Sequence, residues 1–125
     1  TQPFGCRALL MEVCARSKKD APFHLIFAVN YGSRAEIVRA ANFAAELGGK
    51  VTEESFSRFL YTYGVPDPDL IIRTGGELRL SNFLLWQSAY SELYFTDTLF
   101  PDFDDKQFKK ALKEFSRRNR RFGKV

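Results

Sequence analysis

The sequence predicts an α/β fold built on a parallel β-sheet. Short apolar runs that suit buried strands alternate with stretches of helical periodicity, an order typical of parallel sheets with right-handed crossovers. Two of the predicted strands run into glycine-containing turns, Asn30–Gly32 and Thr74–Gly76, at the edge where ligands bind in such sheets. The chain has 125 residues, 45% of them hydrophobic, which suits one domain with a substantial core.

The first part of the chain is predicted to form a helix, a strand and a second helix. Residues 4–17 have helical periodicity, and residues 23–29 form a nearly unbroken apolar run, typical of a strand buried on both faces. We expect His24 to be buried within that strand. A capping box at Ser33–Glu36 predicts the next helix, which the glycine pair Gly48–Gly49 would end. The apolar stripe of this helix comprises Ile37, Ala41, Ala44 and Leu47.

The second part is predicted to continue the alternation of helices and strands. Thr52 is expected to cap a short helix, and a rigid proline turn precedes a strand at Leu70–Arg73. Ser81 or Asn82 is expected to cap another helix, and Leu93–Phe95 is a short strand. The pattern offers three clear strands, which is few for an open sheet of about 4–6 strands.

The last predicted helix, residues 104–121, begins at Asp104 and carries most of the positive charge. Residues 106–125 hold 9 of the 19 Lys and Arg residues and a single acid, Glu114. Such a basic end could meet phosphate, nucleic acid or an anionic membrane surface. A solvated helix face is the alternative, which we favour for the lysines.

Cysteine spacing and hydropathy indicate the compartment. Cys6 and Cys14 lie eight positions apart on a predicted helix, about 12 Å along its axis, which is too far for a disulfide. Two thiols without the spacing of a metal site are typical of a reducing cytosol. No apolar run approaches the roughly 20 residues that a membrane span needs. We therefore expect a cytoplasmic protein.

The run Asp69–Phe83 carries the chemistry. A predicted strand ends in an arginine, a glycine pair lets the backbone approach a ligand, and a helix start would offer N–H groups to an anion. Guanidinium forks and a hydroxyl beside such a turn predict a phosphate or diphosphate site. The polar side chains around the turn are those of Arg73, Arg79 and Ser81. Alternatively, the arginines form ion pairs with Asp67, Asp69 or Glu77.

This run continues through Tyr90–Asp97 and Leu99–Phe103, and together they resemble the signature of the cis-prenyltransferase family, the undecaprenyl diphosphate synthase-like enzymes. Asn30–Arg34 and Arg120–Gly123 extend the resemblance to residues 23–123. It implies the parallel-sheet cis-prenyltransferase fold and condensation of isopentenyl diphosphate with an allylic diphosphate, expected to be farnesyl diphosphate. The implied product is a long-chain polyprenyl diphosphate such as undecaprenyl diphosphate, the implied cofactor is Mg²⁺, and the implied assembly is a homodimer.

The resemblance also implies individual roles. Glu92 matches the family's metal-associated glutamate, although a surface acid before a strand is the alternative. The terminal Arg-x-Gly can reach the active site across the dimer interface in the family; a basic helix end is the alternative. The residues implied to bind substrate are Arg73, Arg79, Leu80, Ser81, Arg121 and Gly123. The strand at residues 23–29 could line a tunnel for the growing prenyl chain, through Leu25, or serve as core on both faces.

The family's N-terminal half carries an Asp-Gly-Asn-Gly-Arg-Trp phosphate loop whose aspartate binds Mg²⁺, and nothing like it occurs here. We therefore expect residues 1–125 to be the C-terminal part of a single domain, with the phosphate-loop half absent and no turnover by this chain alone. The alternative functions are a non-catalytic partner subunit of the same family and, least favoured, a basic nucleic-acid-binding module. We expect no nucleic-acid partner, and contact with a membrane surface during product release.

Overall fold

The protein is described by a computed structural model that covers residues 4–18, 20 and 22–118. The two strands, β1 (Leu70–Arg73) and β2 (Glu92–Phe95), form a parallel pair in this part of the chain. The helices described are α1 (Phe4–Arg16), α2 (Ser33–Glu46), α3 (Glu53–Ser57), a 3-10 helix (Phe100–Asp102) and α4 (Asp105–Arg117). The predicted α/β class with a parallel sheet is confirmed.

The two strands end at the same edge of the sheet. Leu70 pairs with Glu92 and Arg73 pairs with Phe95, and the Thr96 N–H donates to the Arg73 carbonyl at 3.0 Å. β1 has the predicted bounds, and β2 begins one residue earlier than predicted. Because the strands are parallel, the segments that follow β1 and β2 leave the sheet side by side.

The core lies between α2, α3 and the segment before β2. Ala40, Phe56 and Leu60 are buried together, and the Trp86 ring packs 4.4 Å from the Phe56 ring, measured between centroids. The predicted stripe of α2 is only partly right, because the helix ends at Glu46 and the following Leu47 is 71% exposed. The buried positions of α2 are Ser33, Glu36, Ala40 and Ala44.

Two predicted caps are confirmed, and the cap predicted for α2 is wrong. Thr52 forms a capping box with Ser55 at α3, and the Asp104 carboxylate accepts the Gln107 N–H at α4. At α2 the N-cap is Gly32, which has no side chain to accept a hydrogen bond. The predicted Ser33–Glu36 box fails because both of its side chains are buried in contacts with other segments, described below.

The predicted strand at residues 23–29 does not form. These residues have no regular secondary structure, and their apolar side chains are exposed, Phe23 at 89% and Leu25 at 80%. A strand needs a neighbour for its backbone hydrogen bonds, and neither β1 nor β2 pairs with this segment. His24, predicted to be buried, is exposed for the same reason.

The predicted helix after the glycine turn is also absent. Residues 81–90 form a series of turns, and Ser81, Asn82 and Leu84 have φ values of 50°, 65° and 47°. Left-handed residues cannot continue a right-handed helix. The prediction that a helix begins at Ser81 or Asn82 and offers its N-terminus to an anion is therefore wrong.

The first and last helices agree with prediction where they are described. α1 occupies nearly the predicted range, and Cys6 and Cys14 on it are exposed free thiols, so the expectation that they form no disulfide is confirmed. α4 ends at Arg117, earlier than predicted, and residues 119–121 lie outside the described residues. No helix within the described ranges is long and apolar enough to cross a membrane.

Candidate functional site

The turn after β1 is held at the carboxyl edge of the sheet by backbone hydrogen bonds. The Gly75 N–H donates to the Thr98 carbonyl and the Gly76 N–H to the Thr96 carbonyl, both at 2.9 Å. The φ values of the two glycines are 86° and 78°, in the left-handed region that other residues avoid. The predicted role of this pair in shaping a tight turn is confirmed.

Position 76 also requires a residue without a side chain. A Cβ atom there would lie 3.1 Å from Oδ1 of Asp97, the second residue after β2. The glycine therefore lets the turn after β1 pack directly on the turn after β2. The carboxyl edge of the sheet is a preformed surface built from two turns.

Arg73 ends β1 at this edge. Its side chain is half-buried, and its guanidinium forms no hydrogen bond or ion pair within the described part of the chain. Each guanidinium offers five N–H donors in a planar fork. A partly desolvated guanidinium without an acceptor is suited to bind an anionic group, as the sequence predicts.

Arg79 has an internal partner. Its Nη2 lies 2.7 Å from Oε2 of Glu77, and the two side chains are 64% and 46% exposed. The ion-pair alternative considered from the sequence is thus correct for Arg79 in this structure. Exposed ion pairs contribute only about 0–1 kcal/mol, so an incoming diphosphate can displace Glu77.

Leu80 and Ser81 line a surface pocket of about 450 Å³. The pocket is completed by Arg34, from the first turn of α2, and by Asn82 and Leu85. Arg34 brings a cation beside the Ser81 hydroxyl, which the sequence did not predict as a site feature. Neither Arg73 nor Arg79 lines this pocket. The residues that were predicted to bind a diphosphate therefore do not all surround one cavity.

Glu92 lies at the opposite end of the sheet from Arg73. Its Oε2 forms an ion pair with Arg118 Nη1 at 3.0 Å, and the same nitrogen donates to the Leu93 carbonyl at 2.8 Å. Arg118 Nη2 also binds Glu114 at 2.6 Å, and these carboxylates raise the pKa of Arg118. In this structure the Glu92 carboxylate is thus part of an ion-pair network, and its metal role stays a prediction from the resemblance.

The described residues do not form a metal site made of protein ligands alone. No three His, Cys, Asp or Glu side chains among them come close enough together to hold a metal ion. Mg²⁺ binding therefore stays a prediction from the resemblance. Arg121 and Gly123, the predicted Arg-x-Gly residues, lie outside the described residues.

A mainly apolar pocket of about 430 Å³ opens beside residues 26–31. The other lining residues are Tyr61, Thr62, Val65, Pro66, Pro68, Phe83, Leu84 and Gln87. Leu25 is not part of the lining and is largely exposed, so it neither faces this pocket nor contributes to a core. Ile26 and Phe27 take the place at the pocket wall that the sequence led us to expect for Leu25.

A buried carboxylate next to this pocket was missed from the sequence. Glu36 is 1% exposed, and it accepts hydrogen bonds from the Tyr31 hydroxyl at 2.5 Å, the Tyr61 N–H at 2.7 Å and Gln87 Nε2 at 3.2 Å. Burial, followed by the bond to Glu36, raises the pKa of Tyr31. The acid was visible in the sequence, but the capping-box pattern explained it locally and hid its long-range contacts.

Comparison with known proteins places this arrangement in context. A sequence profile described as "Putative undecaprenyl diphosphate synthase" matches residues 3–123. An isoprenyl transferase of Fusobacterium nucleatum is 56% identical over 110 residues, which make up 87% of this chain and 47% of that protein. An isoprenyl transferase of Aquifex aeolicus is 52% identical over 122 residues, 97% of this chain and 53% of that protein. The chain spans about half the length of the curated relatives it matches.

Solved structures give the same picture. A "probable undecaprenyl diphosphate synthase" from Campylobacter jejuni superposes with a TM-score of 0.83 at 39% identity, covering 98% of this chain and 58% of that one. Lavandulyl diphosphate synthase from Lavandula x intermedia, solved with dimethylallyl diphosphate, superposes with a TM-score of 0.89 at 39% identity, covering 98% of this chain and 56% of that one. The predicted cis-prenyltransferase fold is confirmed.

Proposed function

Because the chain belongs to the undecaprenyl diphosphate synthase family of prenyltransferases, we propose that it supplies the isopentenyl-diphosphate-binding part of a cis-prenyltransferase. The complete enzyme would condense isopentenyl diphosphate with an allylic diphosphate such as farnesyl diphosphate. Repeated condensation would yield a long-chain polyprenyl diphosphate. Since the chain covers about half of its relatives, these activities belong to the proposal.

The observation that carries the proposal is Arg73. It ends β1 at the carboxyl edge of the sheet, beside a glycine turn with two left-handed residues, and its guanidinium has no acceptor within the described residues. Bidentate guanidinium–phosphate pairs are among the strongest hydrogen-bonded contacts that proteins make. An uncompensated fork at this edge of an α/β sheet is what a diphosphate ligand would satisfy.

The neighbouring polar groups support the same ligand. Arg79 can leave its exposed partner Glu77, and Ser81 presents a hydroxyl in a pocket that Arg34 also lines. We propose that these groups hold the diphosphate of isopentenyl diphosphate so that its alkene faces the allylic carbon. Fixing two reactants in this way supplies a large part of the rate enhancement of a bimolecular step.

The chemistry itself needs three changes that balance. A carbon–carbon bond forms between the alkene of isopentenyl diphosphate and the first carbon of the allylic chain, diphosphate leaves from that carbon, and a proton is lost from the condensing unit. The described residues contribute binding and orientation. Since Glu92 is engaged by Arg118, we assign no metal-dependent step to them.

The apolar pocket beside residues 26–31 supports a prenyl substrate. Its lining is dominated by apolar side chains, and its volume of about 430 Å³ falls in the usual range for small-molecule sites, roughly 300–1,000 Å³. The lavandulyl diphosphate synthase neighbour was solved with dimethylallyl diphosphate, an allylic diphosphate. We propose that the pocket takes part of the hydrocarbon chain in the complete enzyme.

The proposal is tested by reconstitution. The purified chain should incorporate no radiolabelled isopentenyl diphosphate into farnesyl diphosphate in the presence of Mg²⁺. Adding a separately made N-terminal half of the Fusobacterium nucleatum relative should restore elongation, and the same mixture with Arg73→Ala should remain inactive. Elongation by the chain alone would contradict the proposed division of the site. Normal activity of the Arg73→Ala mixture would contradict the proposed diphosphate site.

A further inference from the structure

The N-terminus of α2 is capped by a residue from a distant segment. Gly32, the N-cap, has no side chain to accept the free N–H groups of the first turn. The Ser33 N–H donates to the Asn82 carbonyl and the Arg34 N–H donates to Asn82 Oδ1, both at 2.8 Å. Asn82 therefore performs, from about 50 residues along the chain, the role that a helix normally fills from its own N-cap.

The contact runs in both directions. The Ser33 side chain is fully buried, and its Oγ accepts the Leu85 N–H at 2.9 Å. Ser33 thus donates its backbone N–H to Asn82 and accepts a backbone N–H three residues later. The first turn of α2 and the turns at residues 81–85 satisfy one another's backbone groups.

The two segments also fit sterically. A Cβ atom on Gly32 would lie 3.0 Å from Asn82 Nδ2, so the glycine makes room for the asparagine side chain. Asn82 has a φ of 65°, a conformation that asparagine adopts more readily than most residues. The absence of a side chain at position 32 and the left-handed backbone of Asn82 therefore both allow this close contact.

A second attachment holds the far end of the segment. Gln87 Nε2 donates to the buried Glu36 carboxylate, one turn further along α2, at 3.2 Å. Residues 81–90 form only a few backbone hydrogen bonds among themselves, such as that from the Ser88 N–H to the Leu84 carbonyl at 2.9 Å. Their placement also depends on the contacts with α2, on the bond from Gln87 Nε2 to Thr62 Oγ1 at 3.1 Å and on the packing of Trp86.

From this geometry we propose that Asn82 is a positioning residue for the diphosphate site. Ser81 and Leu80 precede it directly, and Arg34, whose N–H it accepts, lines the same pocket. By capping α2, Asn82 sets the distance between the Ser81 hydroxyl and Arg34. The ligand assignment rests on the proposed function, whereas the capping contact does not.

The capping contact is tested first, without any ligand. Asn82→Gly keeps the left-handed backbone and the carbonyl but removes Oδ1, so amide exchange measured by NMR should accelerate at least tenfold at Arg34. Asn82→Asp keeps an acceptor there and should restore the protection. The emission of Trp86, the chain's single tryptophan, should shift in Asn82→Gly and return in Asn82→Asp. Unchanged exchange at Arg34 in a folded Asn82→Gly variant would overturn the cap.

Positioning is tested with isopentenyl diphosphate by calorimetry. Asn82→Gly should weaken binding about fivefold to tenfold, the effect of losing roughly one hydrogen bond. Gly32→Ala, which crowds Nδ2, should weaken it about twofold to threefold, and should have no further effect in the Asn82→Gly background. Gly5→Ala is the matched control, because nothing lies within 4 Å of its added Cβ atom.

The experiments distinguish failure of the proposed function from failure of the proposed roles of Asn82. If the unaltered chain does not bind isopentenyl diphosphate, the proposed function fails, while the exchange experiment still decides whether Asn82 caps α2. If the unaltered chain binds and Asn82→Gly exposes the Arg34 amide without weakening binding, the positioning role is overturned. Additive effects of Gly32→Ala and Asn82→Gly would also overturn it, since coupled neighbours are expected to be non-additive.

Discussion

The two ends of the short parallel sheet differ in how their charges are compensated. At the carboxyl end, the guanidinium of Arg73 has no partner in the described part of the chain, and a glycine turn follows. At the amino end, Arg118 binds Glu92, Glu114 and the Leu93 carbonyl. The ends are only about 10 Å apart along four residues of strand. The unpaired guanidinium at one end and the satisfied network at the other support the proposal that the anionic ligand binds at the carboxyl end.

The contrast between the two ends of the sheet also separates the roles that we propose for Arg73 and Glu92. Arg73 and Glu92 both match family positions, and from the sequence alone both are candidates for the site. In the fold they lie at opposite ends of paired strands, and one of them is already neutralised. Substitutions at each end of the sheet can test that difference.

The largest effect is expected for Arg73. Arg73→Ala removes two charge-assisted hydrogen bonds, each worth about 1.5–3 kcal/mol, so isopentenyl diphosphate binding should weaken at least about 100-fold. Arg118→Ala, at the amino end, should change the dissociation constant less than about twofold. Calorimetry on both variants, with circular dichroism to confirm folding, measures the difference. Equal losses in the two variants would remove the distinction between the ends.

A smaller effect is expected for Arg79, whose charge is shared with Glu77. Arg79→Ala should weaken isopentenyl diphosphate binding about tenfold, and Arg79→Lys should recover little of it because lysine cannot make a bidentate pair. Glu77→Gln frees the guanidinium and should tighten binding about twofold to threefold, the value of an exposed ion pair. Weaker binding by Glu77→Gln would show that Glu77 orients Arg79 instead of competing with the ligand.

At the amino end, Glu92 is expected to affect stability and not binding. Glu92→Gln breaks its ion pair with Arg118, a half-buried contact worth about 1 kcal/mol, which urea unfolding would detect. The dissociation constant for isopentenyl diphosphate should stay within about twofold. A loss of Mg²⁺-dependent binding in Glu92→Gln, with stability unchanged, would restore the metal role that the resemblance implies.

Local patterns predicted the turns, caps and strands that depend on nearby residues. The Thr52 and Asp104 caps form hydrogen bonds within three positions. The β1 strand and the Gly75–Gly76 turn were predicted from local propensity, although β2 and the turn after it supply their hydrogen-bond partners. Residues 23–29 have an equally strong apolar pattern, but a strand exists only with a paired neighbour, which the pattern does not supply. The helix expected after Ser81 was lost to contacts with α2, 48 or more residues away.

The site was predictable in its residue types but not in its arrangement. Arg73 beside two glycines was a readable signal, because the chemistry of diphosphate binding needs those residues in one turn. The pairing of Glu92 with Arg118 and the entry of Arg34 into the Ser81 pocket depend on tertiary contacts over 26 and 47 positions. No spacing rule connects residues so far apart in the chain.

The smallest expected effect sharpens the comparison between Glu92, which has a cationic partner, and Glu36, which has none among its hydrogen-bond donors. Glu36 relies on neutral donors, one of which is the Tyr31 hydroxyl, whose pKa is raised by burial and by that bond. Tyr31 therefore stabilises the fold while it is protonated. Its contribution is complete below the usual tyrosine pKa of about 10 and is lost as pH rises through the higher pKa of the folded state.

Tyr31→Phe isolates this contribution, because it removes the titrating hydroxyl and leaves the ring contact with Phe83. The free energy of unfolding should fall on substitution at about pH 8, and the difference between the two proteins should shrink at about pH 11, on the other side of the usual pKa. Urea unfolding at both pH values measures the difference. A difference that stays constant between the two pH values would contradict the proposed titration of the Tyr31 hydroxyl beside the buried carboxylate.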